Sequence, residues 1–145
     1  MKMIIRAANQ EDLKKLAILL HQLSPSSEED DLEKLKQILD KIIKDGYHYL
    51  CIVDENNEMI GTGTLLIQKN LSHGGMNYGH IENIVVDINY RKKGIGKKII
   101  LHLIEKAKEN KCYKVILDCK KENVPFYAKC GLSETGEVSM RLDFD

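Results

Sequence analysis

The sequence has no pair of cysteines at CxxC spacing. Its four, Cys51, Cys112, Cys119 and Cys130, lie in or beside apolar runs and show no metal-ligand spacing, so no metal site and no disulfide framework is expected. Free, buried thiols in a reducing compartment are the expectation, and with them a cytoplasmic protein. A nucleophilic cysteine would need a partnered base, and the sequence displays none. No stretch approaches the roughly 20 apolar residues of a membrane-spanning helix. Met1 to Ala8 is too short, and lacks the apolar core, for a secretory signal. Net charge is missing as well. The 22 basic and 22 acidic residues cancel, so global charge gives no argument for nucleic acid or an acidic membrane as a partner. Internal repeats, low-complexity tracts and linkers are also lacking.

What is present fits one soluble domain covering residues 1–145, with 43% hydrophobic and 30% charged residues. A chain of this length buries roughly 68–70% of the surface it would expose unfolded, enough for a core. Met3 to Ala7 predicts a strand. Asn9 with Asp12 three places on predicts a capped helix start, and Leu13, Leu16, Ala17, Leu20 and Leu23 follow at helical spacing. Ser24-Pro25-Ser26-Ser27 breaks that helix, and an acidic run from Glu28 to Asp31 leads into a second helix that Gly46 ends. Tyr47 to Val53 and Met59 to Ile67 predict a hairpin around Asp54 to Asn57. Gly61 and Gly63 in its second strand mark a close backbone approach or a bulge. After a polar loop from Lys69 to Tyr78 come a strand from Gly79, a helix from about Gly96 to Asn110, and a strand from Tyr113 to Cys119. A short helix from Glu122 to Lys129 and a closing strand from Val138 to Phe144 complete the chain. The class implied is one α+β or mixed α/β domain.

The stretch from Gly79 to Lys98 carries the chemistry. A β-branched strand feeds a turn, Arg91-Lys92-Lys93-Gly94-Ile95-Gly96, and then an amphipathic helix. A helix start offers free backbone N–H groups and partial positive charge, which suit a phosphate, and the glycines let a ligand come close. Arg91, Lys92, Lys93 and Lys97 add counter-charge. The spacing fits neither a Walker loop nor the dinucleotide Gly-x-Gly-x-x-Gly turn. On spacing alone, a plain tight turn with solvated lysines accounts for the same residues.

The strand, turn and helix resemble the acetyl-CoA motif of the GNAT superfamily of N-acetyltransferases. Three more stretches are similar to the glucosamine 6-phosphate N-acetyltransferases within it: Gly79-His80-Ile81-Glu82, Cys112-Tyr113-Lys114-Val115-Ile116-Leu117-Asp118-Cys119, and Asn123-Val124-Pro125-Phe126-Tyr127-Ala128-Lys129-Cys130-Gly131. The close similarity runs from about Lys69 to Met140. The resemblance implies a GNAT fold, a mixed but mostly antiparallel central sheet flanked by helices. It implies acetyl-CoA as co-substrate, with no metal, and a homodimer that shares its active sites. Ile84, Val85 and Val86 would hold the pantetheine arm, and the turn residues Arg91, Lys92, Lys93, Gly94, Ile95, Gly96 and Lys97 the pyrophosphate. Asn123 and Tyr127 would lie near the sulfur. Tyr127, Asp118 and Asn83 would be catalytic: Tyr127 donating to the leaving thiolate, Asp118 positioning the sugar and its amine, and backbone N–H at Asn83 or Ile84 meeting the acyl oxygen. Glu82, Asn83 and Asp118 would contact the amino sugar. Ser24, Asn70, His73, Tyr113, Lys114 and Arg141 would serve its phosphate side, part of them from the second chain.

Some positions depart from the family pattern. Asn83 stands where a carboxylate is usual, and Asp143 where the last strand usually bears an arginine, with Arg141 two places earlier on the same face. Each site residue also has a plain role open to it: Tyr127 as core, Asp118 as a turn or cap residue, Tyr113 and Lys114 as the outer face of an edge strand, and His80 as structural. Glu82 sits inside an apolar run, where an unpaired buried carboxylate is costly, and so points to function. The expected activity is acetyl transfer to the 2-amine of glucosamine 6-phosphate. A GNAT enzyme for another small amine or a protein N-terminus, or a non-catalytic acetyl-CoA-binding module, are the alternatives.

Overall fold

The computed structural model describes residues 2–25 and 29–144. Ser26, Ser27 and Glu28 of the expected helix-breaking and acidic connection lie outside the described residues. The elements are β1 (Met3–Ala7), α1 (Leu13–Leu23), α2 (Leu32–Lys44), β2 (His48–Glu55), β3 (Glu58–Gln68), β4 (Asn77–Val86), α3 (Ile95–Glu109), β5 (Cys112–Ile116) and α4 (Val124–Lys129). The five strands make one sheet in chain order. β1 to β4 pair antiparallel, and β5 joins β4 in parallel through the α3 crossover. This is the mixed, mostly antiparallel sheet of the GNAT fold that the motifs implied.

Local chemistry sets the boundaries. The Asn9 amide oxygen accepts from the Glu11 N–H at 2.9 Å, and the Asp12 carboxylate accepts from the Asn9 N–H at 2.8 Å, a reciprocal cap at the helix entry. Arg6 grips both Asp12 oxygens at 2.8 Å and donates to Asp54 at 2.8 Å, tying β1, the α1 entry and β2 together. Asp31 caps α2 by accepting from the Lys34 N–H at 3.2 Å, and Gly46, at φ 74°, follows its last turn. Asn56 and Asn57 have φ of 51° and 67°. Two successive left-handed residues make the tight turn whose twist matches a hairpin, so β2 runs on to Glu55 and the connection is shorter than expected.

The main core lies between the sheet and α3. Ile99, Ile100 and Leu103 are fully buried against Cys51, Val53, Ile60, Leu65 and Ile81, each contributing roughly 1.5–3 kcal/mol of transfer free energy. A smaller cluster of Ala8, Leu16 and Ile52 packs α1 on the opposite face. Among the described residues no helix is long and apolar enough to cross a membrane.

Three expectations are corrected. β5 ends at Ile116 rather than Cys119, because its pairing with β4 stops there. The last helix begins only at Val124, after a 3-10 turn at Lys121–Asn123, since Pro125 favours the first turn of a helix. The closing strand is not formed. Residues 133–144 lie outside the sheet, with Val138, Met140, Leu142 and Phe144 84%, 91%, 79% and 91% exposed. An alternating pattern specifies an extended segment with one apolar side, and in the single chain that side meets no neighbour.

Candidate active site

The site arises where two parallel strands part. β4 and β5 pair through Asn77 with Cys112, Gly79 with Val115 and His80 with Ile116, and then pairing stops while β4 continues to Val86. A wedge opens between Ile81–Ile84 on one side and Leu117–Cys119 on the other, forming a cleft of about 250 Å³. Leu23 at the end of α1 closes one wall, and Asn123 and Tyr127 from the α4 region close another. Beyond His80 the β5-side edge of β4 has no strand beside it among the described residues. The Val86 carbonyl faces that open edge and accepts from the Arg91 side chain at 3.0 Å.

β4 is bulged at the cleft. Thr62 pairs with Val85 and Thr64 with Glu82, so the two residues Asn83 and Ile84 stand opposite the single residue Gly63. Asn83 takes φ 53°, left-handed geometry that asparagine tolerates better than most residues. Glu82 and Asn83 are both exposed to the cleft. The inference that Glu82 is a buried carboxylate is therefore corrected. The strand past the splay has lost its neighbour, and Glu82 faces solvent.

Tyr127 is half-buried, with its ring edge-on to Phe126 at 5.0 Å and 77°. Burial, with smaller contributions from Cys119 and Cys130, pushes its phenol above the ordinary value, so it keeps its proton through neutral pH. Asp118 is exposed at the cleft, and Ser139 donates to it at 3.3 Å.

Below the splay, the basic turn leads into α3. Gly94 sits at φ 79° as the N-cap residue, and Ile95, buried in the core, is the first helical residue. Lys92 also takes a left-handed φ of 64°. Gly96 is helical, and its need for glycine is packing: a Cβ there would lie 3.1 Å from the Phe126 ring. Arg91, Lys92, Lys93 and Lys97 are exposed around the α3 N-terminus. These residues fit a molecule with a pyrophosphate at one end and an extended amide-bearing arm at the other. The helix start can take the first and the open β4 edge the second.

The remaining predicted site residues do not reach this cleft within the chain. His73 stacks on Tyr113 with centroids 4.0 Å apart, and the Lys114 ammonium lies 5.4 Å from the Tyr113 ring and 5.1 Å from Tyr78. This cluster gathers at the start of β5, the opposite end from Asp118. Asn70 bonds Ser72, and Ser24 is exposed just after Leu23. Arg141 pairs with Asp143 at 2.6 Å on the unpaired C-terminal segment.

A model of the acetyltransferase (GNAT) family matches residues 7–132. A glucosamine 6-phosphate N-acetyltransferase from Arabidopsis thaliana is 40% identical over 100 residues, 68% of this chain and 66% of that protein, just under two thirds of its length. One from Schizosaccharomyces pombe is 43% identical over 91 residues, 61% of this chain and 82% of that protein. The crystal structure of the glucosamine-6-phosphate N-acetyltransferase from Arabidopsis thaliana superposes with a TM-score of 0.91 at 34% identity, covering 100% of both chains. The chain belongs to the GNAT acetyltransferase family. Of the residues singled out from the sequence, Glu82, Asn83, Ile84, Asp118, Asn123 and Tyr127 line one cleft at the splay. The cleft also recruits Leu23, Ile81, Leu117 and Cys119, which sequence reasoning did not single out. Cys119 carried a signal in its place directly after Asp118. Leu23 carried none, because its exposure arises only from the packing of α1 against the sheet.

Proposed function

We propose that the chain, acting as one domain over residues 1–145, transfers acetyl from acetyl-CoA to the 2-amine of D-glucosamine 6-phosphate, a cytoplasmic step toward UDP-N-acetylglucosamine. The observation that carries this is the single cleft holding Glu82, Asp118 and Tyr127 at an open strand edge, directly above a basic helix start. Bound there, acetyl-CoA supplies the acetyl group as an activated thioester. The α3 N-terminus, with the turn from Arg91 to Lys97, would hold the pyrophosphate, and the β4 edge from Ile84 to Val86 the arm. The backbone N–H groups at the Asn83–Ile84 bulge would meet charge developing on the acyl oxygen.

Glu82 and Asp118 would hold the sugar hydroxyls and orient the neutral amine, so that transfer is direct and needs no acyl-cysteine. Tyr127 would stabilise the departing sulfur. An ordinary thiol titrates near ~8.5 and a phenol near ~10, and burial raises the Tyr127 phenol further. Full proton transfer to the thiolate is therefore uphill. Tyr127 acts as a hydrogen-bond donor rather than as an acid that loses its proton.

The phosphate would be met from a second copy of the chain, whose cluster of His73, Tyr113 and Lys114 is too far round the sheet to serve its own cleft. Ser24, Asn70 and Arg141 belong to the same side. Support for a homodimer comes from the free outer edge of β5 and the unpaired segment with its four exposed apolar side chains. A neighbouring protomer pairing there would cover both.

The test is CoA thiol release from the purified chain with acetyl-CoA and glucosamine 6-phosphate. Release with another amine but not with this sugar would overturn the acceptor. Cofactor binding with no release for any amine would overturn the enzyme reading in favour of a binding module. Asn83 and the Arg141–Asp143 pair are the observations that favour another acceptor.

A further inference from the structure

On its α3 side, β4 changes parity at the bulge. Gly79 faces α3, since a Cβ there would lie 3.7 Å from Ala107, and Ile81 is buried in the core built on that helix. Past the bulge it is Ile84 and Val86 that pack against that core. The slot opposite Ile84 on β3 belongs to Gly63. A Cβ added to Gly63 would lie 2.7 Å from Ile84 Cδ1, 2.7 Å from Ile99 Cγ2 and 3.1 Å from Leu103 Cδ1. The two at 2.7 Å are closer than a real Cβ tolerates, and they come one from the bulged strand and one from the helix. Gly63 has no left-handed φ to require glycine, so what it supplies is empty space. That space is filled by the Ile84 side chain, and with Ile84 drawn inward the chain leaves Asn83 in its left-handed turn, with Glu82 and Asn83 facing the cleft.

We propose that Gly63 is a positioning residue for acetyl transfer: its missing side chain seats Ile84 and so fixes the Asn83–Ile84 amides at the acyl-binding edge. The inference rests on the acetyl-transfer reading. Misplacement of reacting groups by about 1 Å can cost about 100-fold in rate. Overpacking alone would lower stability without singling out turnover.

The experiment compares Gly63→Ala with Gly61→Ala. Gly61 faces the same helix two residues away, where a Cβ would meet Ile99 Cδ1 at 3.1 Å and the Val85 carbonyl oxygen at 3.3 Å, but neither Asn83 nor Ile84 of the bulge. Thermal midpoint, kcat, and KM for acetyl-CoA are measured for each, with glucosamine 6-phosphate as acceptor. Both variants should lose thermal stability. Gly63→Ala alone should lose at least about tenfold in kcat, with KM for acetyl-CoA changed by less than about threefold. Adding Ile84→Val, which removes Cδ1, should restore most of that kcat. Adding Ile99→Leu, which relieves only the helix side, should restore stability and leave kcat low. A folded Gly63→Ala with kcat within about twofold of the unsubstituted chain overturns the proposal. So does a kcat loss shared by Gly61→Ala in proportion to its stability loss. If Gly63→Ala does not fold alone, the Gly63→Ala/Ile99→Leu variant carries the same comparison. Failure of the unsubstituted chain to turn over any amine counts against the acetyl-transfer reading instead. In that case the role proposed for Gly63, which rests on that reading, is overturned with it.

Discussion

Replacing Tyr127 with Phe removes one hydroxyl and leaves the ring. The ring packs edge-on to Phe126 and against the core beneath α3, and Phe keeps those contacts, so the fold should hold to within about 1 kcal/mol. What is lost is a hydrogen bond to a thiolate that exists only as the carbon–sulfur bond breaks. A hydrogen bond to a charged group contributes roughly 1.5–3 kcal/mol, which corresponds to about a 10- to 150-fold fall in kcat. KM for acetyl-CoA should move by less than about twofold, because the ground-state thioester carries no such charge. The pH profile supplies a second check. Burial holds the Tyr127 phenol above its ordinary value, so activity that depends on its proton is present at neutral pH. That activity is lost only as pH rises past about 10, where the phenolate can no longer donate. The Phe variant should lack that alkaline limb. The assay is thiol release over a pH series at saturating acetyl-CoA. A Phe variant with unchanged kcat, or one that keeps the limb, would remove Tyr127 from the leaving-group role.

Asp12→Asn should destabilise the chain by about 1–3 kcal/mol in urea unfolding, since it weakens the paired grip of Arg6 and the cap together. Burial alone would raise the Asp12 carboxyl, but hydrogen bonds from Arg6 and the Asn9 N–H, with the Arg6 charge, hold it below the usual range. A lowered folded pKa stabilises above the unfolded value and is lost as pH falls through the folded one. The gap between the two chains should therefore be full above pH ~4 and shrink below it; a gap that widens in acid would contradict the ion pair. Gly94→Ala puts a side chain at φ 79° with open space around it, so its cost of about 1–2 kcal/mol is purely conformational. Gly94→Asn should cost less and raise KM for acetyl-CoA less, and equal effects would show that space, not φ, governs the turn. Ending the chain at Ser133 removes the exposed apolar segment. Sedimentation should then show a folded monomer in place of the proposed dimer of the full chain, and a truncated chain that still sediments as a dimer would refute a contact through this segment.

Helix caps and the hairpin were legible because their causes are local: Asn9 with Asp12, Asp31, Gly46, and the Asn56-Asn57 turn each act within a few residues of their own backbone. The motifs drew attention to Asp118 and Tyr127, and both line the cleft. What escaped the sequence depends on neighbours that spacing does not name. Glu82 looked buried because Ile81, Ile84 and Val85 surround it, yet burial there is decided by β5 turning away after Ile116. The segment from Val138 to Phe144 has the right period for a strand, but period says nothing about which edge receives it. Gly63, with Gly61, was marked as a close approach or a bulge, but its partner Ile84 becomes visible only when the register jump puts two residues opposite one.

Asn83 links these points. A carboxylate is usual there in the family, and its replacement looks at first like a change in amine chemistry. The backbone gives a different account. Position 83 is the left-handed residue of the bulge, at φ 53°, and asparagine is among the side chains that enter this region most readily. Its first duty is to turn the strand so that the following amides face the cleft, and that duty does not need a charge. Glu82 and Asp118 still bring two exposed carboxylates to the same cleft, which in the proposed reaction would bind the sugar and align its amine. A carboxylate at position 83 would add a third negative group within a few ångströms, favouring the protonated amine that cannot attack. Asn83→Asp should therefore keep the fold, and its kcat/KM for the amino sugar should fall at neutral pH and recover as pH rises. A variant that gains activity at neutral pH would show instead that the missing charge, not the bulge, is what position 83 contributes to the reaction.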